Sequence, residues 1–176
     1  MNKEEIIRQL KERHEIFVET IDALTEDDFL FAPPEKWSAG QQLDHIYRSV
    51  ATLFLAMRIP KPAIKLVIGK ANRPSRSYDE LVERYAQKLS GGGKAKGPFI
   101  PSAISYAEKK KLIEKVRSVI EKLSNRINQF SEKDLDEMIL PHPLLGKLTM
   151  REMLFFTIYH VQHHQRLMTK YLELKN

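Results

Sequence analysis

Twenty-four consecutive residues, Thr149 to Leu172, contain neither Gly nor Pro and carry apolar side chains at helical spacing. At about 100° per residue, Met153, Phe156, Thr157, Leu167 and Tyr171 share one face of the predicted helix. His160 and His164 lie on that same face, about 40° and one turn apart, so both imidazoles point toward a core rather than into solvent. Two His at i and i+4 can bind one ion, because their ring nitrogens converge at that spacing. The chain has no Cys, which excludes disulfides and thiolate sites and leaves His and carboxylate as metal donors. His45 is the candidate third ligand.

Three more amphipathic segments accompany this one. Asn2 to Leu24 places Ile6, Ile7, Leu10, Phe17, Val18, Ile21 and Leu24 in one stripe, with His14 in its middle. That ring is either a core His bonded to a neighbour or part of the wall of the metal cavity. Thr25 could cap a short turn, and Ala32-Pro33-Pro34 breaks the chain. Ser38 followed by Gln41 is a capping box that starts a helix running to about Met57, with Leu43, Ile46, Tyr47, Val50, Leu53, Phe54 and Met57 as its apolar stripe. His45 falls nearly opposite that stripe, with Ser49, Thr52 and Ala56, and can reach a shared ion only if this helix is covered on both sides. A further helix begins at Ser102 or Ser105 and runs to about Phe130, with Leu112, Val116, Val119, Leu123, Ile127 and Phe130 in a stripe free of His, Asp and Glu.

Residues 60–104 are punctuated by Pro and Gly and predict only short helices, around 63–68 and 78–89. Gly91-Gly92-Gly93-Lys94-Ala95 lacks the ending of a phosphate-binding P-loop and no apolar strand precedes it, so it reads as a flexible basic loop able to cover a pocket mouth. Residues 131–148 read as a linker, in which His142 between two prolines is a loop-fixing residue or a pocket residue. Thr149 with Glu152 is a second capping box, which accounts for that glutamate. Four long amphipathic helices with no convincing strand predict an all-α four-helix bundle, one domain over residues 1–176, with a long, partly helical connection between its second and third helices.

The formal charge of +6 is uneven: residues 58–117 hold 15 Lys and Arg against 5 Asp and Glu. Such a patch is either a solvated surface or a means of attracting an anionic small molecule. No nucleic-acid module accompanies it. The first residues open into a charged amphipathic pattern without the apolar core of a signal peptide, and no apolar run reaches the roughly 18 residues needed to span a bilayer, so a cytoplasmic protein is expected.

Trp37-Ser38-Ala39-Gly40-Gln41-Gln42-Leu43-Asp44-His45-Ile46 resembles the W-S-x-x-x-x-L-x-H-I/L signature of the DinB-like (YfiT-like) superfamily. His142-Pro143-Leu144-Leu145-Gly146-Lys147-Leu148-Thr149 is similar to its H-P-x-x-G-x-L-T segment, and His160-Val161-Gln162-His163-His164 to its H-x-x-x-H ending. The three blocks stand in the order and at roughly the separations of that superfamily. The resemblance implies a bundle of up-down-down-up topology, often a homodimer. It also implies a divalent metal, Zn or Ni in many relatives, held by His45, His160 and His164. Some relatives are transferases or isomerases that use a low-molecular-weight thiol, and others are hydrolases. Relatives commonly carry Gln three residues after the last His; here Leu167 stands there and Gln165 follows His164 directly.

Three neutral imidazoles without a fourth protein ligand leave an open position for water or a substrate atom. A chain without Cys would have to import the sulfur for S-transfer. His163, about 60° from His160, is a candidate partner of the ligands or a general base at the pocket rim; a surface or interface role is the plain alternative. The function classes open at this point are a metal-dependent transferase or hydrolase acting on a small, anionic molecule, a non-catalytic metal-binding or stress-response module, and a bundle without metal.

Overall fold

The computed structural model describes residues 1–175. Its helices are α1 (Lys3–Asp22), α2 (Glu26–Leu30), α3 (Ala39–Arg58), α4 (Lys61–Val67), α5 (Tyr78–Ser90), α6 (Lys109–Ile127), α7 (Glu132–Glu137) and α8 (Met150–Glu173). The predicted capping boxes are both present: the Ser38 side chain accepts from Gln41 N and Gln41 closes back on Ser38 N, and Thr149 pairs with Glu152 in the same way. Of the two serines proposed to open the third long helix, Ser105 caps a 3-10 turn leading into α6, while Ser102 has a different role near the site. Among the described residues, no helix is long and apolar enough to cross a membrane.

Cross-helix contacts give the directions of the four long helices. Lys11 pairs with Glu121 and Glu15 with Arg117, so α1 and α6 are antiparallel. Arg126 donates to the Met57 carbonyl and Lys115 lies over the Tyr47 ring, so α3 and α6 run parallel. Arg151 donates to the Met1 carbonyl and Gln165 to Thr20, so α1 and α8 are parallel as well. Two parallel neighbours in succession make the bundle up-down-down-up. They also explain the long segment 59–108: the chain leaves α3 at one end and must return to the other before α6 begins. Lys109, buried at that return point, donates to the Asp22 and Leu24 carbonyls, where a cation suits the C-terminal end of α1.

The stripes read from the sequence on α1, α3 and α6 form the core, joined by residues of α8 that lie off its His160 face. Ile6, Leu10, Phe17, Val18 and Ile21 from α1 are fully buried, as are Leu43 from α3, Val116, Leu123 and Ile127 from α6, and Leu154 and Val161 from α8. Gly40 lets α2 lie close on α3: a Cβ there would sit 2.8 Å from the Phe29 ring.

Residues 131–148 are not a plain linker. Ser131 caps the short α7, and Ile139–His142 (β1) pairs antiparallel with Gly146–Thr149 (β2), Ile139 opposite Thr149 and His142 opposite Gly146. The three-residue loop needs a left-handed residue at its end, and Gly146 supplies it with φ +76°. Each strand is four residues long, too short for alternation to stand out, but the Gly at that loop position was a readable hairpin signal.

Candidate metal centre

α3 and α8 pack antiparallel, and this places His45 beside His160 and His164. The Nε2 atoms of His45 and His164 each lie 3.1 Å from Nε2 of His160. All three rings are at least 95% buried. Side-chain donor atoms of these three residues lie within 4.8 Å of one another, and among the described residues no other such group of His, Asp and Glu is found. His45 is buried despite lying opposite the stripe of α3, because the connection covers that side. A 3-10 turn, Gly97–Phe99, packs on α3, and Trp37 sets its ring 5.0 Å from that of His45 while stacking on His164 at 6.0 Å.

Outer hydrogen bonds fix the tautomers. His45 Nδ1 lies 2.6 Å from the Phe99 carbonyl oxygen, which can only accept, so Nδ1 carries the proton and Nε2 presents a lone pair. His164 Nδ1 lies 3.2 Å from Gln42 Oε1, and the Gln42 amide nitrogen donates to the Trp37 carbonyl, which orients the amide with its oxygen toward His164. His164 Nε2 is therefore bare as well. Two lone pairs thus converge on His160 Nε2, whose single proton could serve only one of them well. A cation satisfies all three, and nitrogens around one tetrahedral ion with bonds of about 2.0–2.1 Å stand roughly 3.3 Å apart. The donor set fits a divalent metal.

Burial holds the imidazoles neutral, as ligands must be. It lowers the pKa of His45 against the opposing effect of the Phe99 hydrogen bond. It takes His160 and His164 well below the ordinary value, with the neighbouring rings adding to the effect.

The trio forms part of the wall of a cavity of about 950 Å³. Its lining includes Met153, Phe156, Thr157, Leu167 and Tyr171 of α8, the face singled out from the sequence, together with Tyr85 and Leu89 of α5. Ser49, Thr52 and Ala56, the small residues flanking His45, line it too. His163 is half-buried on the same wall, its ring 5.8 Å from Tyr85 and 5.2 Å from His164. Burial, then the Arg166 charge, lowers its pKa to about 4. His142 has both proposed roles: its Nδ1 accepts from Leu144 N and Leu145 N at 3.1 Å, fixing the hairpin loop, and its ring packs edge-on against Phe156 beside the cavity.

The reading of Glu152 needs correction. Glu152 does more than cap α8. It is fully buried, and its carboxylate accepts from Arg73 Nη1 and Nη2 at 2.7 and 2.9 Å and from Arg76 N at 2.8 Å, fastening the long connection to α8. Burial by itself would raise its pKa, but Arg73 and the amides of Arg76 and Thr149 outweigh it and the net shift is downward. The basic stretch 58–117 is in part engaged within the fold, with Lys61 and Lys65 facing Asp134, Arg117 facing Glu15, and Arg73 and Arg76 facing Glu152, while most of its other cations are exposed. Lys94 and Lys96 remain at the cavity rim, beside Lys36. Gln165 bonds Thr20 and takes no part in the site; the amide beside the ligands is that of Gln42, one turn before His45.

His14 lies outside the metal cavity, in a groove between α1 and α6. Its Nδ1 bonds the Leu10 carbonyl, its Nε2 is buried without a partner, and burial lowers its pKa to about 4. In the unfolded chain this ring takes up a proton near pH 6.5, in the folded chain only near pH 4, so acid favours unfolding. Stability is full above pH 6.5 and falls as the pH drops toward 4, by about 2 kcal/mol at pH 5 from this residue. His14→Met should therefore lose less stability than the wild type between pH 7.5 and 5, a gap of roughly 4–8 °C in the shift of melting temperature. Parallel acid profiles for the two proteins would contradict this.

A four-helix bundle in which three imidazoles converge between α3 and α8 defines the class: a helical protein with a candidate metal centre on the wall of a ligand-sized cavity. The chain belongs to the DinB superfamily, whose family model matches residues 4–168. It is 29% identical over 132 residues to the uncharacterized protein YuaE of Bacillus subtilis, a match covering 74% of each chain. YfiT from Bacillus subtilis, described as a probable metal-dependent hydrolase with an unusual four-helix bundle topology, superposes with a TM-score of 0.64 at 14% identity, over 96% of this chain and 85% of that one. That likeness establishes the bundle fold.

Proposed function

We propose that the protein is a metal-dependent enzyme whose divalent ion, Zn or Ni, is held by His45, His160 and His164 and which acts on a small anionic molecule in the adjoining cavity. The observation that carries this reading is the pair of outward hydrogen bonds, to Phe99 and Gln42, that leave bare Nε2 atoms converging on His160. Imidazole donors suit Zn and Ni alike. An ion held by these three neutral imidazoles would supply Lewis acidity to a group bound beside it. The chain supplies the rest. Lys36, Lys94 and Lys96 at the rim draw an anion toward the cavity, and Phe156, Leu167 and Tyr171 exclude water around its apolar part. His163 is the side chain we assign to proton transfer: neutral at pH 7, it can accept a proton from a group in the cavity, with a basicity limited by burial and by Arg166.

Hydrolysis is the reaction named for YfiT. The size of the cavity favours a second reading, S-transfer from a low-molecular-weight thiol. About 950 Å³ accommodates a drug-sized ligand or two smaller molecules, and the chain has no sulfur nucleophile of its own. The test is a screen of the metal-loaded protein against anionic esters and amides, with and without small thiols. Turnover should appear with at least one anionic class, and Lys94→Glu with Lys96→Glu should raise KM about tenfold or more at low salt with kcat little changed, because rim charge steers binding. No turnover across the panel, together with unchanged metal spectra on adding any thiol or carboxylate, would reduce the protein to a metal-binding module.

A further inference from the structure

Asp44 precedes His45 on α3 and is buried, and no part of the reading above uses it. One of its carboxylate oxygens, Oδ2, accepts from Arg48 Nε at 2.7 Å and from the Ser102 backbone N–H at 2.8 Å. Arg48 in turn donates to the Pro98 carbonyl at 3.4 Å and to Ser102 Oγ at 2.9 Å. The segment is thus tied to α3 on both sides of Phe99, the residue whose carbonyl bonds His45 Nδ1. Without those ties the carbonyl would stand on an open stretch, between Gly97 at φ +57° and a half-exposed Ile100, with only one 3-10 turn for support. An Asp and an Arg four residues apart on a helix commonly form a plain surface pair. What distinguishes this pair is the third member, a backbone N–H 58 residues away on the segment that reaches the candidate ligand.

We propose that Asp44 is a positioning residue of the metal centre, acting through Arg48 and Ser102 to hold the Phe99 carbonyl on His45. It rests on the metal reading given above. The hydrogen bond at Nδ1 sets both the rotation of the His45 ring and its tautomer, and outer partners of this kind typically change metal affinity 10–100-fold. The same segment lines the cavity through Lys96, Phe99 and Ile100, so a ligand that shifts it also shifts the donor strength of His45.

The test compares wild type, Asp44→Ala, Asp44→Asn, Arg48→Met and His45→Ala, all without affinity tags. Cobalt(II) is titrated in competition with a chelator, and the visible spectrum of the bound ion is recorded. Asp44→Ala should bind about 10–100-fold more weakly than wild type, with a shifted cobalt spectrum. Asp44→Asn should recover part of the loss, since its amide oxygen can still accept from Ser102. Arg48→Met, at a partly exposed position that tolerates change, should fall between wild type and Asp44→Ala and keeps the test open if the latter does not fold. A second readout needs no metal: in nitrogen-edited NMR the His45 Nδ1–H proton should exchange with solvent faster in Asp44→Ala than in wild type. Wild-type affinity, spectrum and proton exchange in Asp44→Ala and Arg48→Met would overturn the proposal and leave the metal reading standing. Failure of wild type and His45→Ala alike to bind cobalt would instead remove the metal reading itself.

Discussion

His160→Ala is expected to abolish metal binding, and His45→Ala and His164→Ala to weaken it by more than about 100-fold each. His160 Nε2 lies 3.1 Å from both partner nitrogens, so its removal takes away the donor that the other two both approach. Loss of an outer partner alone costs about 10–100-fold, and loss of a donor atom must exceed that. His163→Ala should keep the metal, since its ring neighbours His164 from the cavity side and lies outside the trio. The same variant should lower turnover by about 100-fold or more if His163 moves the proton. Metal content by mass spectrometry on untagged protein reads the first effect, with circular dichroism checking that the helices persist. Wild-type metal content in His160→Ala would end the three-histidine assignment, and so would metal loss in His163→Ala equal to that in His164→Ala.

The second large effect is on stability. Glu152→Ala should destabilise the fold by about 3 kcal/mol, near the lower end for breaking a buried ion pair, because the Arg73 side chain is one-third exposed and regains water. For a chain of 176 residues that is a fall of roughly 6–12 °C in melting temperature. Glu152→Gln should cost distinctly less, since an amide can still close the capping box on Thr149 and accept one bond from the connection. If the cap were the whole role, Ala would cost about 1 kcal/mol and Gln almost nothing. Thermal melts of the two variants separate these outcomes. The anchor also joins two parts of the site: the connection that carries Lys94, Lys96 and Phe99, and the helix that carries His160 and His164.

Some of this was legible in the linear chain and some was not, and the division follows the range of the interactions. Periodicity placed all four long helices, because a helix in a bundle must bury one face, and the stripes at Leu10, Leu43 and Leu123 record that. Ser38 and Thr149 marked helix starts because caps act over three residues. His160 and His164 converge by helix geometry alone. The hairpin at 139–149 left little trace because four-residue strands show almost no alternation, its one local sign being the left-handed Gly146, and the short α7 had only the Ser131 cap to mark it. The same limit hid the second role of Glu152, whose partners lie 76 and 79 residues away.

The amino-acid sequence by itself thus determined the class of fold, the places where its helices begin, and two of the three candidate donors, since each is an arrangement within one helical turn. Only the tertiary structure decided that His45 is buried rather than exposed, that Phe99 and Gln42 set the tautomers around the trio, and that His14 stands apart from it. Those outcomes depend on which surface covers the far side of a helix. That covering comes from a connection whose path is fixed by non-local contacts, and no local pattern of residues encodes it.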